Sequence, residues 1–155
     1  MTAIRRMTLA QWAAWLGLAC FGLLTVAPAC AGDLNLHAQL IWGTNEDKPA
    51  DKDLKDLKPE LRDKLRRIFK WKNYFEVNHQ KVAVPSKGTK KTRLSDKCEI
   101  EVEHLGAANI EVRLIGKGKL VTSVKENLST TKFVIVAGDD KRDNAWFVVV
   151  TLGSP

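Results

Sequence analysis

Cys98-Glu99-Ile100-Glu101-Val102-Glu103 and Ile110-Glu111-Val112-Arg113-Leu114 alternate apolar and polar residues without a break, and Gly106 to Asn109 between them can reverse the chain. Side chains of an extended strand point alternately to opposite faces, so this pattern specifies a hairpin with one dry and one wet side. A hairpin of this kind must find a second apolar layer. The same period of two recurs along most of the chain. Leu34-Asn35-Leu36-His37-Ala38-Gln39-Leu40 alternates strictly and continues to Ile41 and Trp42. Tyr74, Phe75 and Val77 lead through Asn78-His79 to Val82 and Val84, which predicts a short hairpin over 73–85. Pro85 to Arg93 is polar and reads as a connection. Gly116 and Gly118 turn or bend the chain before a strand over Leu120 to Lys125, as glycines inside a strand pattern often do. Phe133 to Ala137, a polar turn from Gly138 to Asn144, and Ala145 to Leu152 make the last hairpin. Phe147-Val148-Val149-Val150 is apolar on successive positions, so this strand is expected to be buried on both faces near the middle of a sheet.

One segment breaks this rhythm. Pro59 suits the first turn of a helix, Glu60 sets a negative charge near the positive end of the helix dipole, and Leu61, Leu65, Ile68 and Phe69 recur at helical spacing. A helix over 59–71 is predicted, its apolar stripe covering a sheet and its basic side in water. Residues 43–58, rich in Asn, Asp, Lys and Pro, read as a solvated connector. Short strands with hairpin-length gaps leave little room for parallel crossovers. The expected fold is α+β: a mostly antiparallel β-sheet, curled as a sandwich or partial barrel, with one amphipathic helix packed on it.

The first 31 residues set the expected address. Arg5 and Arg6 form a basic start, Leu9 to Val26 is uncharged and apolar, and Ala29-Cys30-Ala31 supplies a small-residue cleavage pattern before Gly32. This is the pattern of a secretory signal peptide. A retained anchor is the rival, but Gly17 and Gly22 dilute the apolar run and Pro28 with two small residues closes it as leaders close. The Arg5-Arg6 pair lacks most of a twin-arginine pattern, and Ala27-Pro28-Ala29-Cys30 ends like a lipoprotein box without its usual Leu. Lipid attachment at Cys30 is thus the minor alternative. Residues 32–155 are expected to form one domain, exported to a periplasm or secreted.

Removal of residues 1–31 takes two arginines and no acid with it, so Lys and Arg fall from 25 to 23 against 18 Asp and Glu, and net charge from +7 to +5. Cys20 and Cys30 leave as well. Cys98 alone remains, either buried or paired with another chain; its phase with Ile100 and Val102 favours burial.

Four constellations carry chemistry worth weighing. Arg66 to Tyr74 interleaves cations with aromatics, and with Arg62 it offers Arg62, Arg66, Arg67, Lys70, Trp71 and Lys72 as a patch for a polyanion or a partner. Export disfavours nucleic acid, leaving an anionic glycan or lipid; the plainer reading is a wet helix face. Gly138 to Asn144 holds closely spaced carboxylates, yet lacks the ligand order of a calcium loop and carries Lys141 and Arg142. Glu99, Glu101 and Glu103 line one strand face, where a glycosidase pair is conceivable and cross-strand ion pairing with Arg113 and Lys119 is favoured. His37, His79, His104 and Cys98 share no metal-ligand spacing, and no nucleophile elbow, P-loop or dinucleotide glycine pattern occurs. No catalytic residue, metal or cofactor is expected. The reading that follows is an exported accessory or structural protein of the cell envelope or extracellular space, binding another protein. An anionic glycan or lipid binder is the alternative, and a hydrolase with an unfamiliar site comes third.

Overall fold

The first strand, β1 (Leu34–Thr44), buries Leu36, Ala38 and Leu40 on one side, as its alternation requires. Its neighbour β3 (Asn73–Val84) pairs with it antiparallel from Leu34↔Val84 to Thr44↔Asn73. Between them in the chain lie the two-residue strand β2 (Lys55–Asp56), set against Glu76 and Phe75, and helix α1 (Pro59–Ile68). The chain continues through β4 (Thr89–Ser95), β5 (Cys98–Gly106), β6 (Asn109–Gly116) and β7 (Lys119–Asn127), then β8 (Val134–Ala137) and β9 (Asn144–Leu152). The computed structural model describes residues 32–50, 53–138 and 144–153. The leader expected over residues 1–31, Cys30 included, and the carboxylate-rich positions 139–143 lie outside the described residues.

Among the described residues every strand pairing is antiparallel. One sheet has the order β2-β3-β1-β9-β8 and the other β4-β5-β6-β7. The β-rich α+β fold expected from the pattern therefore holds. Leu36, Leu40, Val82, Val84, Val134, Val148 and Val150 of the first sheet and Leu94, Ile100, Val102, Ile110 and Val112 of the second close into one dry core. Each of these side chains leaves water almost completely, which stabilises the fold by about 25 cal/mol for every Å² of apolar surface buried. On the opposite face of the first sheet, Leu61 and Leu65 of α1 pack on Ile41, Tyr74, Phe147 and Val149. Strand β9 thus lies between β1 and β8 with Val148 and Val150 toward one layer and Phe147 and Val149 toward the other, which is why its sequence carries no polar alternation. All of these core side chains fall within 34–152, and residues 31–155 form their own compact unit.

Three local expectations need correction. Residues 73–85 are one strand, not a hairpin. A bulge, in which Leu40↔Asn78 is followed by Ile41↔Glu76, leaves Val77 unpaired and reconciles the two halves of its pattern. Asn78 makes no turn; its side-chain amide donates to the Leu94 carbonyl (2.8 Å) and ties β3 to β4. The polar connection over Pro85–Arg93 turns only as far as Gly88 and then forms β4. That strand lies at a sheet edge with Lys90, Lys91 and Arg93 in solvent, so it shows no apolar period. Helix α1 stops at Ile68, short of residue 71: Phe69 is already extended (φ −122°, ψ 160°), its N–H closing on the Leu65 carbonyl at 2.8 Å. Ile68 is exposed, and Phe69 and Trp71 take its place over Phe147.

Candidate functional site

Residues that chemistry singles out fall on four separate surfaces. The basic segment comes first. Arg62, Arg66 and Arg67 stand on α1, whereas Lys70, Trp71 and Lys72 belong to the link into β3. Arg66 is engaged structurally: Nε and Nη2 donate to the Lys72 carbonyl at 3.0 and 2.8 Å. Asn45 accepts from the Lys72 N–H, and the Asn73 side chain donates to the Glu46 carbonyl, so the link is braced against the end of β1. Arg62 stands 3.7 Å from Asp63, and Lys70 lies 5.4 Å from the Trp71 ring centroid. Trp71 meets Phe147 edge-on at 5.5 Å. Its ring serves the helix-side core. Beneath it Tyr74 donates to the Leu65 carbonyl (3.4 Å), and burial raises its phenol pKa against the lowering pull of the Trp71 backbone and Arg66.

The second surface is the outer face of β5 and β6. Arg113 donates to Glu101, Glu103 and Glu111, each at 2.8 Å, while Lys91 and Arg93 hold Glu99 at 3.0 and 2.9 Å and Lys125 approaches Glu111 at 3.7 Å. Bonds donated by Lys91 and Arg93 lower the Glu99 pKa; those that Arg113 donates to Glu101 and Glu103 raise its own. Arg113 is the cross-strand partner anticipated for the row of glutamates; the other cations are Lys91, Arg93 and Lys125, and Lys119 makes no ion pair among the described residues. Such a lattice satisfies its own charges. His104, on the same strand, faces the core, where its Nε2 meets the Ala107 carbonyl at 2.7 Å. Glu101 and His104 therefore stand on opposite faces and share no site.

Cys98 is half-buried beside the core and unbridged, less enclosed than its phase with Ile100 and Val102 predicts because it opens β5 next to a turn. Burial, and then Glu99, pushes its thiol up to about 11. A third polar group sits on the first sheet: Glu76 accepts from the Gln39 amide and bonds His79 Nδ1 at 2.9 Å. Among the described residues no cluster of three or more His, Cys, Asp or Glu is arranged to hold a metal ion.

The fourth surface has no counterpart in the sequence patterns. After the bulge, Phe75, Trp42 and Trp146 form one lateral row across β3, β1 and β9, as register partners Trp42↔Phe75 and Trp42↔Trp146. Trp42 and Trp146 stack at 6.5 Å between centroids and 27° between planes; Trp42 and Phe75 lie 6.1 Å apart. The row shares a face with Val148 and Val150, but Trp42 and Phe75 join a separate cluster with Leu54, beyond the core that the two sheets share. Trp42 and Phe75 are buried, while Trp146 is 44% exposed. Lys48 stands 6.0 Å from the Phe75 ring. The result is an aromatic ledge presenting one tryptophan to solvent. Comparison of the chain with protein-family models, with curated proteins and with solved structures finds no match.

Proposed function

We propose that residues 32–155 act after export as a binding domain that docks a partner protein of the envelope or extracellular space through Trp146. The observation that carries this reading is the aromatic row: an exposed indole backed by a stacked, buried one. Tryptophan dominates the energetics of protein interfaces because it buries a large area while losing little side-chain freedom, and an anchor held in place before binding loses less still. At the edges of the second sheet, strand addition is the less favourable mode. The edge strand β4 exposes Lys90, Lys91 and Arg93, and the edge strand β7 is bulged at Val121 and carries Lys119 and Lys125, devices that discourage pairing with another chain. A polyanion held by the basic segment is the lesser alternative, since Arg66 is already committed to the Lys72 carbonyl. Export rests on the leader pattern in residues 1–31.

The test is affinity capture from an envelope extract with residues 32–155 and with Trp146→Ala. A stoichiometric protein retained by the native domain and lost with the variant is the expected result. Capture of no such protein, or equal capture by both, would contradict the reading.

A further inference from the structure

We propose that the hairpin tips at residues 95–98 and 116–121 form a contact surface for an anionic lipid bilayer. The two tips are built as one. Ser95, Cys98, Gly116 and Lys119 are successive register partners across all four strands of the second sheet, and the Lys117 N–H donates to the Lys97 carbonyl at 3.0 Å. Lys97, Lys117 and Lys119 are exposed and make no ion pair among the described residues, against the single carboxylate of Asp96 in these tips. Elsewhere on this sheet Lys91, Arg93, Arg113 and Lys125 each have a glutamate, and Lys90 has none among the described residues. Three of the sheet's unpaired lysines thus gather where the apolar residues emerge.

Ile115↔Leu120 is followed by Leu114↔Thr122, so Val121 is an extra residue, and the bulge leaves adjacent Leu120 and Val121 at 64% and 46% exposure. Val121 folds over Gly116, where an added Cβ would meet its Cγ2 at 2.9 Å. The turn itself has Lys117 at φ 51° and Gly118 at φ 77°. Two central residues with positive φ define the hairpin turn that favours Asn-Gly, so a lysine stands where the backbone would more comfortably take asparagine. Charge is kept there at a conformational cost. A soluble polyanion would engage the lysines yet leave Leu120 and Val121 in water. A bilayer offers both halves of the contact, anionic headgroups outside and an apolar layer beneath.

The experiment uses residues 32–155, which contain all the core side chains of the described residues, in sedimentation with phosphatidylglycerol/phosphatidylcholine vesicles and with phosphatidylcholine alone. Binding to the anionic vesicles that falls as salt rises is expected. The triple variant Lys97→Gln, Lys117→Asn, Lys119→Gln should lose affinity by on the order of a hundredfold, near the contribution of three cations at an anionic surface. Leu120→Ser with Val121→Ser should weaken it as well, circular dichroism confirming that both variants fold. No binding, equal binding to neutral vesicles, or affinity untouched by either variant would overturn the proposal, as would binding that changes only with Arg66→Gln and Arg67→Gln. Because the contact rests on the tips alone, it stands or falls separately from docking at Trp146.

Discussion

Cys98 shows how far one residue is set by its surroundings. A thiol raised from 9.0 to about 11 is held protonated, because burial penalises the thiolate and Glu99 repels it. Only the thiolate attacks an alkylating agent, so at pH 8 the folded domain should react with iodoacetamide about a hundredfold more slowly than the same chain in denaturant. Rates measured side by side check this; equal rates would contradict it. The sign for stability follows. With the folded value raised, the benefit of a buried thiol is complete below pH 9.0 and is lost as pH climbs through about 11. Arg113 gives a second prediction at this scale. Replacing it with Met leaves Glu101, Glu103 and Glu111 crowded without their shared cation, so Arg113→Met should lower the melting temperature at pH 7 and do so less in high salt, which screens the repulsion among the carboxylates. Thermal melts at low and high salt test it, and a penalty that grows with salt would contradict it. The outward row of glutamates and its partner Arg113 were legible because period two fixes the face. Which further cations would join them was not, since that depends on register between strands.

At the level of elements, legibility followed burial. Strands with one wet face announced themselves, as did β9, dry on both. Strand β4 did not, because an edge strand is held by backbone hydrogen bonds to β5 and its side chains Lys90, Lys91 and Arg93 carry no apolar signal. Strand β3 read as two pieces because its bulge at Val77 shifts the phase of alternation midway. For α1, the spacing of Leu61, Leu65, Ile68 and Phe69 predicted a helix to residue 71, yet Phe69 and Trp71 fold onto Phe147 at 4.4 and 5.5 Å instead of extending an exposed turn. The helix is held by few side chains. Leu61 and Leu65 are its buried residues, so Leu65→Ala should destabilise the domain by about 2–5 kcal/mol through lost burial and the cavity left behind. Denaturant unfolding measures this directly; a loss below about 1 kcal/mol would mean the site collapses around the smaller side chain.

The described part of the molecule has three layers: a helix, a five-stranded sheet dry on both faces over much of its area, and a four-stranded sheet whose outer face is closed by ion pairs. Two of its exposed features lie toward one end. The Gly138 N–H donates to the Trp146 carbonyl, and a Cβ at Gly138 would stand 3.8 Å from Leu114, two residues before the Gly116 turn. Trp146 and the lysine tips are thus carried near the same end of the two sheets, an arrangement in which a partner docked on the tryptophan would sit close to a membrane touched by the tips. None of this was visible in the sequence, because Trp42, Phe75 and Trp146 come together only through the pairing of three strands distant in the chain. The central claim is that this row, and not the basic helix, makes the protein contact. The dissociation constant of the captured partner should rise by about thirtyfold or more with Trp146→Ala, as for an interface anchor, and stay unchanged with Arg66→Gln and Arg67→Gln. The reverse pattern, binding indifferent to Trp146 and abolished by loss of the two arginines, would contradict it.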